Sequence, residues 1–269
     1  MSNDASFVGN IPEHYERSLV PIFFVDYAAD IARRTAAWSP GRVLEIAAGT
    51  GVVTRQLRDL LAAGAHLTAT DLNPPMLEIA RAKFRPHEKL DFRPADATTL
   101  PFPDGSFDAV VCQFGVMFFP DKDKSYREIH RVLAPGGHYL FNVWDSHAYN
   151  KVGRIAHEVA GSFFPADPPQ FYKVPFSCHQ IDPIKVSLID AGFTDITIAI
   201  VGLEKEIPDA LHLARGLVYG NPLIEQIRAR GGVNPDQVVD TLAHALRAEF
   251  GADPGRMPLQ AIIFSASRR

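Results

Sequence analysis

Short apolar runs alternate with helical patterns between residues 40 and 145, and this alternation restricts the chain to few folds. Helices are predicted between and after these runs, and glycine or proline turns bound most of them. Strands that alternate with helices form a mostly parallel sheet that is covered on both faces. The predicted strands are residues 42–46, 66–70, 90–93, 107–112 and 139–144, and the predicted helices are 51–63, 74–84 and 121–133.

Outside that region the pattern changes twice. Residues 1–40 are predicted to be largely helical, because apolar residues such as Tyr15, Leu19 and Tyr27 recur at three- and four-residue steps. Residues 148–180 interleave phenylalanine with proline, which predicts an irregular lid. The remaining prediction is a helix over 184–191, a strand over 196–201, helices within 209–250 and a final strand over 259–264.

Composition excludes several classes of protein. The formal net charge is −4, whereas a dedicated nucleic-acid-binding protein usually carries a basic face. No uncharged stretch is long enough for a membrane-spanning helix of roughly 20 apolar residues. Cys112 and Cys178 are the two cysteines, too few for a disulfide framework or a four-cysteine zinc site. With no secretory leader apparent at the N-terminus, we expect a cytoplasmic protein.

The most informative segment is residues 43–55, in which a strand leads through a glycine turn into a helix. Gly49 and Gly51 allow a ligand to approach the main chain closely. A dinucleotide-binding turn has a third glycine where this chain has Thr54. Glu45 near the strand end would repel a pyrophosphate but suits a ligand with ammonium and sulfonium groups. Asp71 ends the second strand, where a carboxylate accepts hydrogen bonds from a ribose. Both a dinucleotide and a ligand with ammonium and sulfonium groups could supply that ribose, so Asp71 does not discriminate between them.

These residues, with blocks at 69–77, 94–97, 100–108 and 127–137, make the chain similar to class I S-adenosylmethionine-dependent methyltransferases. The likeness is to the small-molecule branch related to quinone-biosynthesis C-methyltransferases. It implies a Rossmann-like three-layer α/β sandwich with a mostly parallel seven-stranded sheet, the last strand antiparallel, and a helical cap. We expect a cofactor-binding core over 35–147, 178–205 and 256–269, and a cap over 1–34, 148–177 and 206–255.

The resemblance also implies S-adenosylmethionine as the cofactor and a role for each matching position. Glu45 would lie near the methionine amino group, Asp71 would hold the ribose, and Asp96 would accept from the adenine amino group. Asn73, rather than Asp71, is expected to cap the helix that begins at Pro74. The other positions implied to bind the cofactor are Ala47, Gly49, Thr50, Gly51, Leu72, Met76, Ala97, Gln113 and Phe114.

One departure from the family concerns Ala47, because the family usually has glycine at that position. Alanine is disfavoured at positive φ, so we expect an ordinary backbone conformation there.

The acceptor is harder to predict. The phenylalanines and prolines of the expected cap favour a small apolar or aromatic molecule, methylated by direct displacement. Tyr15, Phe118 and His147 could line its pocket, although Tyr15 could equally pack in the core and His147 could be an ordinary loop histidine. The sequence identifies no catalytic residue and no metal site, and it leaves the oligomeric state open. Two alternatives stay open at this point: an NAD-dependent oxidoreductase, and a non-catalytic S-adenosylmethionine-binding protein.

Overall fold

A seven-stranded sheet forms the centre of the structure, a computed structural model that describes residues 3–88 and 90–269. The strand order is β3-β2-β1-β4-β5-β7-β6, and only β7 runs antiparallel to its two neighbours. This arrangement confirms the predicted fold class. The strands are β1 Arg42–Glu45, β2 His66–Asp71, β3 Leu90–Pro94, β4 Phe107–Gln113, β5 Leu133–Trp144, β6 Thr194–Ile207 and β7 Gly255–Ser267.

Helices cover the sheet and form a further layer beyond the carboxyl ends of its strands. The N-terminal helical run is continuous but irregular, since a π-helix over Tyr15–Phe24 joins the first two α-helices and contains Pro21, which has no N–H to donate. The α-helices are α1 Ile11–His14, α2 Val25–Ala36, α3 Val52–Leu60, α4 Pro74–Arg81, α5 Lys122–Val132, α6 Lys151–Ser162, α7 Ile181–Asp190, α8 Ala210–Tyr219, α9 Leu223–Arg230 and α10 Pro235–Phe250.

The prediction of an irregular lid over 148–180 is wrong in its first half, where α6 forms. The prolines of this region all follow Phe163, so none interrupts the helix. Val152, Ile155 and Ala156 recur at helical spacing and are buried. Only the second half of the segment is irregular, apart from one turn of 3₁₀-helix over Phe171–Lys173.

Three strands extend well past their predicted ends. β6 and β7 pair from Thr194 with Ser267 to Ile207 with Gly255, so tertiary pairing lengthens both. β5 begins at Leu133 and includes the segment predicted only to end α5. The Gly136 N–H donates to the Arg268 carbonyl at 2.7 Å, which holds this glycine turn against the chain's last residues.

The fold leaves a crevice at one edge of the sheet. β1 lies between β2 and β4, so the strand order reverses at β1, and the chain leaves β1 and β4 toward opposite sides. In open α/β sheets ligands bind beyond the carboxyl ends of the strands at such a point. No helix within residues 3–88 and 90–269 is long and apolar enough to cross a membrane.

We predict that Gly51→Ala destabilises the protein. Gly51 has φ +81°, and an added Cβ would lie 2.8 Å from the Ala80 Cβ on α4. Both the strained backbone and the collision lower the free energy of unfolding, by about 1–3 kcal/mol. The measurement is urea denaturation followed by circular dichroism. Gly64→Ala is the matched control, because nothing lies within 4 Å of its added Cβ, and equal losses in the two variants would contradict the packing argument.

Candidate functional site

A single cavity of about 600 Å³ lies in the crevice at the carboxyl ends of β1, β2, β4 and β5. One half is formed by the turns that follow these strands, and the other half by aromatic side chains of the surrounding helices and loops. The sheet-side wall includes Ala47, Gly49, Asp71, Leu72, Met76, Asp96, Ala97, Gln113, Phe114 and Gly115. The opposite wall includes Phe7, Tyr15, Phe23, Phe118, Trp144, Phe171, Tyr172 and Phe176.

The turn after β1 has left-handed backbone at three positions, with φ +53° at Ala47, +56° at Gly49 and +81° at Gly51. The expectation of ordinary backbone at Ala47 is therefore wrong. The Ala47 methyl packs directly against Gly115, because a Cβ added to Gly115 would lie only 2.5 Å from it and would collide. Close contact between the ends of β1 and β4 thus accompanies a conformation that alanine disfavours on its own.

Asp71 joins the turns that follow β1 and β2. Its Oδ2 accepts from the Gly49 N–H and its Oδ1 accepts from the Asn73 N–H, both at 2.8 Å. Burial raises the pKa of Asp71, although the hydrogen bonds from Asn73 and Gly49 oppose that rise. Oδ1 also accepts from Asn73 Nδ2 at 3.3 Å. Oδ2 accepts one hydrogen bond and can take a second, so the group can still receive a ligand hydroxyl.

Asn73 precedes α4 but does not cap it with its side chain, so that prediction is wrong. Its Oδ1 accepts from the Phe7 N–H at 3.1 Å, and its Nδ2 donates to the Ala5 carbonyl at 3.0 Å. These two bonds hold the N-terminal segment across the cavity, a long-range contact that the local sequence does not reveal.

Glu45 lies behind the turn rather than on the cavity wall, and it is 2% exposed. Its Oε2 has no hydrogen-bond partner among the described residues. Burial raises its pKa to about 8, and the nearby Asp71 adds to the effect. Thr50 is also buried with an unpaired hydroxyl, within the part of the chain that the structure describes. Hydrogen bonding from Thr54 opposes the rise in the pKa of Glu45. The region behind the turn thus holds two buried oxygens, Glu45 Oε2 and the Thr50 hydroxyl, that lack hydrogen-bond partners among the described residues.

Leu72 after β2 and Met76 of α4 lie on the cavity wall together with Asp96 and Ala97, which follow β3. Asp96 Oδ1 accepts from the Thr98 N–H and the Thr98 hydroxyl, each at 2.8 Å. These bonds fix the carboxylate while it still lines the cavity.

Gln113 is the last residue of β4 and Phe114 follows it, and both lie between the two halves of the cavity. Gln113 Nε2 donates to the Phe24 carbonyl at 3.3 Å, while its buried Oε1 has no donor among residues 3–88 and 90–269. The Phe114 ring stacks on Trp144 with centroids 3.8 Å apart and planes 9° apart. Trp144 was not predicted for the site, although its position at the end of a strand beside β4 could have indicated it.

Tyr15 and Phe118 line the cavity, whereas His147 does not. The His147 ring packs 4.5 Å from that of Phe176, and its Nε2 is 3.2 Å from the Tyr172 carbonyl. Burial lowers the pKa of His147. Thr50 and Gly51 are likewise off the wall, since Gly51 directly precedes α3 and lies against Ala80 of α4.

Comparison with known proteins identifies the family. A methyltransferase-domain family model matches residues 44–141. A demethylmenaquinone methyltransferase of Thermus thermophilus is 46% identical over 111 residues, which are 41% of this chain and 49% of that protein. The ubiquinone/menaquinone biosynthesis C-methyltransferase UbiE of Pectobacterium carotovorum is 30% identical over 171 residues, 58% of this chain and 67% of that protein.

The chain belongs to the class I S-adenosylmethionine-dependent methyltransferases, in the branch related to quinone-biosynthesis C-methyltransferases. It spans about half the length of the Thermus relative and two thirds of the Pectobacterium relative. The crystal structure of the YcgJ protein from Bacillus subtilis shares the fold, with TM-score 0.61 and 21% identity over 91% of this chain and 99% of that chain. Family membership rules against the oxidoreductase alternative and makes S-adenosylmethionine the cofactor.

The site fits this cofactor on its own geometry. Gly49 has left-handed backbone and no side chain, so its main chain is open to the cavity. A Cβ at this position would occupy that space and would lie 3.7 Å from the Met76 methyl carbon. Two carboxylates, Asp71 and Asp96, lie on the same wall. Hydrogen-bond acceptors beside an open turn suit a molecule that carries ribose hydroxyls and an adenine amino group.

We predict that Glu45→Gln changes how stability depends on pH. The native pKa of Glu45, about 8, exceeds its ordinary value of 4.5, so the native state holds an extra proton between these values. Wild-type stability therefore falls as pH rises through this window, by up to about 1.4 kcal/mol per pH unit from this group. Glutamine cannot ionise, so the variant should gain stability relative to wild type as pH rises toward 8.

Urea denaturation from pH 5 to 9 measures this difference. Asp108→Asn is the control, because Arg42 lowers the pKa of Asp108 despite partial burial, which puts its titration below the window. Its offset from wild type should stay constant over this range. Parallel stability curves for Glu45→Gln and wild type would contradict the prediction.

We also predict that Ala47→Gly raises the free energy of unfolding, by up to about 1 kcal/mol, because glycine adopts positive φ without strain. The neighbouring Ala48, buried with ordinary φ, supplies the control. Ala48→Gly should lower stability in the same denaturation assay, and a loss at both positions would show that Ala47 is unstrained.

Proposed function

We propose that this chain transfers a methyl group from S-adenosylmethionine to a small, uncharged acceptor that is apolar or aromatic. The observation that carries the proposal is that one cavity joins the cofactor turns to a wall of aromatic side chains. The names of the curated relatives indicate quinone precursors as their acceptors, and a flat apolar ring of that class suits this wall.

In the cofactor half, Asp71 would hold the ribose and Asp96 would accept from the adenine amino group. Leu72 and Met76 would flank the adenine ring, and the Ala97 N–H would face a ring nitrogen. These five residues line the cavity together, which supports the assignment.

At the methionine end, the main chain at Ala47 and Gly49, which line the cavity, would bind the amino acid part, and Thr50 and Gly51 would complete the turn behind them. Glu45 would favour its ammonium group from behind this turn, where its unpaired carboxylate oxygen lies. Gln113 and Phe114 would adjoin the reacting methyl group.

Most side chains of the acceptor half are apolar, although Asn150 and Asn221 also belong to the cavity wall. Phe7 meets Phe118 edge to face with centroids 6.0 Å apart, and Phe118 lies 6.3 Å from Phe171. We propose that residues 1–34, 148–177 and 206–255 form the cap that supplies most of this half, over a core of 35–147, 178–205 and 256–269. Aromatic walls bind a flat ring by burial and by offset or edge contact.

Charge sets a limit on the acceptor. No lysine, arginine or histidine belongs to the cavity wall, among the described residues. His147 is not on the wall, and burial lowers its pKa, which favours the neutral ring. An anionic acceptor would lose its hydration on entering the cavity and would gain no partner of opposite charge, so its transfer from water costs free energy. An acceptor with a phosphate or carboxylate group is therefore disfavoured.

S-adenosylmethionine, when bound, supplies an electrophilic methyl group on a sulfonium leaving group, which suits direct displacement. The chain's part is to align the acceptor and exclude water. Burial raises the pKa of the Tyr15 and Tyr172 hydroxyls, so both stay protonated and neither supplies a general base. Tyr172 already donates to the Leu217 carbonyl at 2.7 Å. The proposal therefore needs an acceptor that is nucleophilic without a dedicated base.

The test is methyl transfer from labelled S-adenosylmethionine to matched pairs of hydroquinones, phenols and amines, each with and without a carboxylate. We expect transfer to neutral aromatic members, with kcat/KM at least about tenfold higher than for their carboxylate partners. Asp71→Asn is the control for a damaged cofactor half and should lower transfer to every acceptor. A preference for the carboxylates would contradict the assigned acceptor class, and no transfer to any member would support a non-catalytic binding protein.

A further inference from the structure

Asn142 is a buried polar residue that neither the family comparison nor the sequence patterns assign. It lies in β5 opposite Gln113 of β4, and its side chain is fully buried. Its Oδ1 accepts from the Phe114 N–H at 2.9 Å, and its own carbonyl accepts from the same N–H at 3.2 Å. Two oxygens of one residue thus hold the first N–H beyond β4.

Phe114 needs such a restraint because its backbone is left-handed, with φ +50°. Bulky residues rarely adopt this conformation, and it persists only where the surroundings hold it. The bend turns β4 directly into the 3₁₀-helix Val116–Phe118. It also lays the Phe114 ring on Trp144 and sets Gly115 against the Ala47 methyl.

The other end of the Asn142 amide is unpaired. Its Nδ2 is buried and has no hydrogen-bond acceptor among residues 3–88 and 90–269. A buried unpaired donor lowers stability, so leucine, which has a similar shape, would be a better residue for packing alone. The hydrogen bond that Oδ1 accepts from the Phe114 N–H is therefore what distinguishes asparagine from leucine at this position.

The restrained bend lies where the two halves of the cavity meet. Gln113, Phe114 and Gly115 all line the cavity, with Ala47 of the cofactor turn on one side and Trp144 of the aromatic wall on the other. A shift of about 1 Å at such a junction can lower the rate of group transfer about 100-fold without loss of binding.

We propose that Asn142 is a positioning residue for methyl transfer, acting through Phe114 and Gly115 to set the acceptor against the cofactor's methyl group. This inference rests on the proposed function. The positioning role requires the Asn142 side-chain oxygen, whereas a role in packing alone would require only a side chain of similar shape.

The experiment compares Asn142→Leu, which removes the oxygen, with Asn142→Asp, which keeps an oxygen at that place. Thr35→Val is the matched control, because Thr35 is also fully buried and its hydroxyl donates to the Ile31 carbonyl at 2.8 Å, away from the cavity wall. For each variant, kcat, the KM for S-adenosylmethionine and the midpoint of urea denaturation are measured.

We expect Asn142→Leu to lower kcat at least about tenfold while the KM for S-adenosylmethionine stays within about threefold, with little loss of stability. Asn142→Asp should recover most of kcat, and Thr35→Val should keep the wild-type kcat. A wild-type kcat in Asn142→Leu would overturn the proposal, as would equal losses of kcat in the leucine and aspartate variants.

A spectroscopic measurement tests the same proposal without turnover. In a Trp38→Phe background, the emission reports Trp144 alone, since the chain has two tryptophans. Asn142→Leu should shift this emission to the red as Phe114 leaves its stack on Trp144, whereas Asn142→Asp should preserve the wild-type emission. If the wild type methylates no acceptor, the proposed function fails, and unchanged emission in Asn142→Leu would then separately overturn the role of Asn142.

Discussion

The cavity depends on one carboxylate that joins two strand ends. Asp71 accepts from the Gly49 and Asn73 main-chain N–H groups, so the turns after β1 and β2 are held at a fixed separation. Hydrogen bonds to a buried carboxylate are strong, and a buried carboxylate without them would lower the stability of the fold. The same side chain lines the cavity, so the group proposed to hold the ribose is also the group that shapes the turn around it.

A second constraint is the contact between the ends of β1 and β4. Ala47 and Phe114 are both left-handed, and Gly115 lies between them with no room for a side chain. Strained backbone at two neighbouring strand ends indicates that the surrounding fold over-determines this region. The strain falls where the cofactor turns meet the aromatic wall, and this placement connects the fold to the proposed transfer reaction.

Sequence reasoning succeeded where a local pattern has one structural solution. The alternation of β1 to β5 with helices predicted the sheet, and the glycine turn with Asp71 and Asp96 predicted a set of residues that share the cavity wall. It failed where a distant contact overrides local preference. The lengths of β6 and β7 come from their pairing with each other, and the conformation of Ala47 accompanies its contact with Gly115.

The candidate site shows the same division. Several residues of the cavity wall could be named from sequence motifs, whereas Trp144 and Asn142 could not, because their contacts depend on which strand lies beside β4. Their strand neighbours are 28 or more residues away along the chain. The sequence by itself determined the fold class and the family, since hydrophobic period and turn chemistry are local properties. Only the tertiary structure decided the aromatic half and the restrained bend, since these arise from side chains that meet through strand order and helix packing.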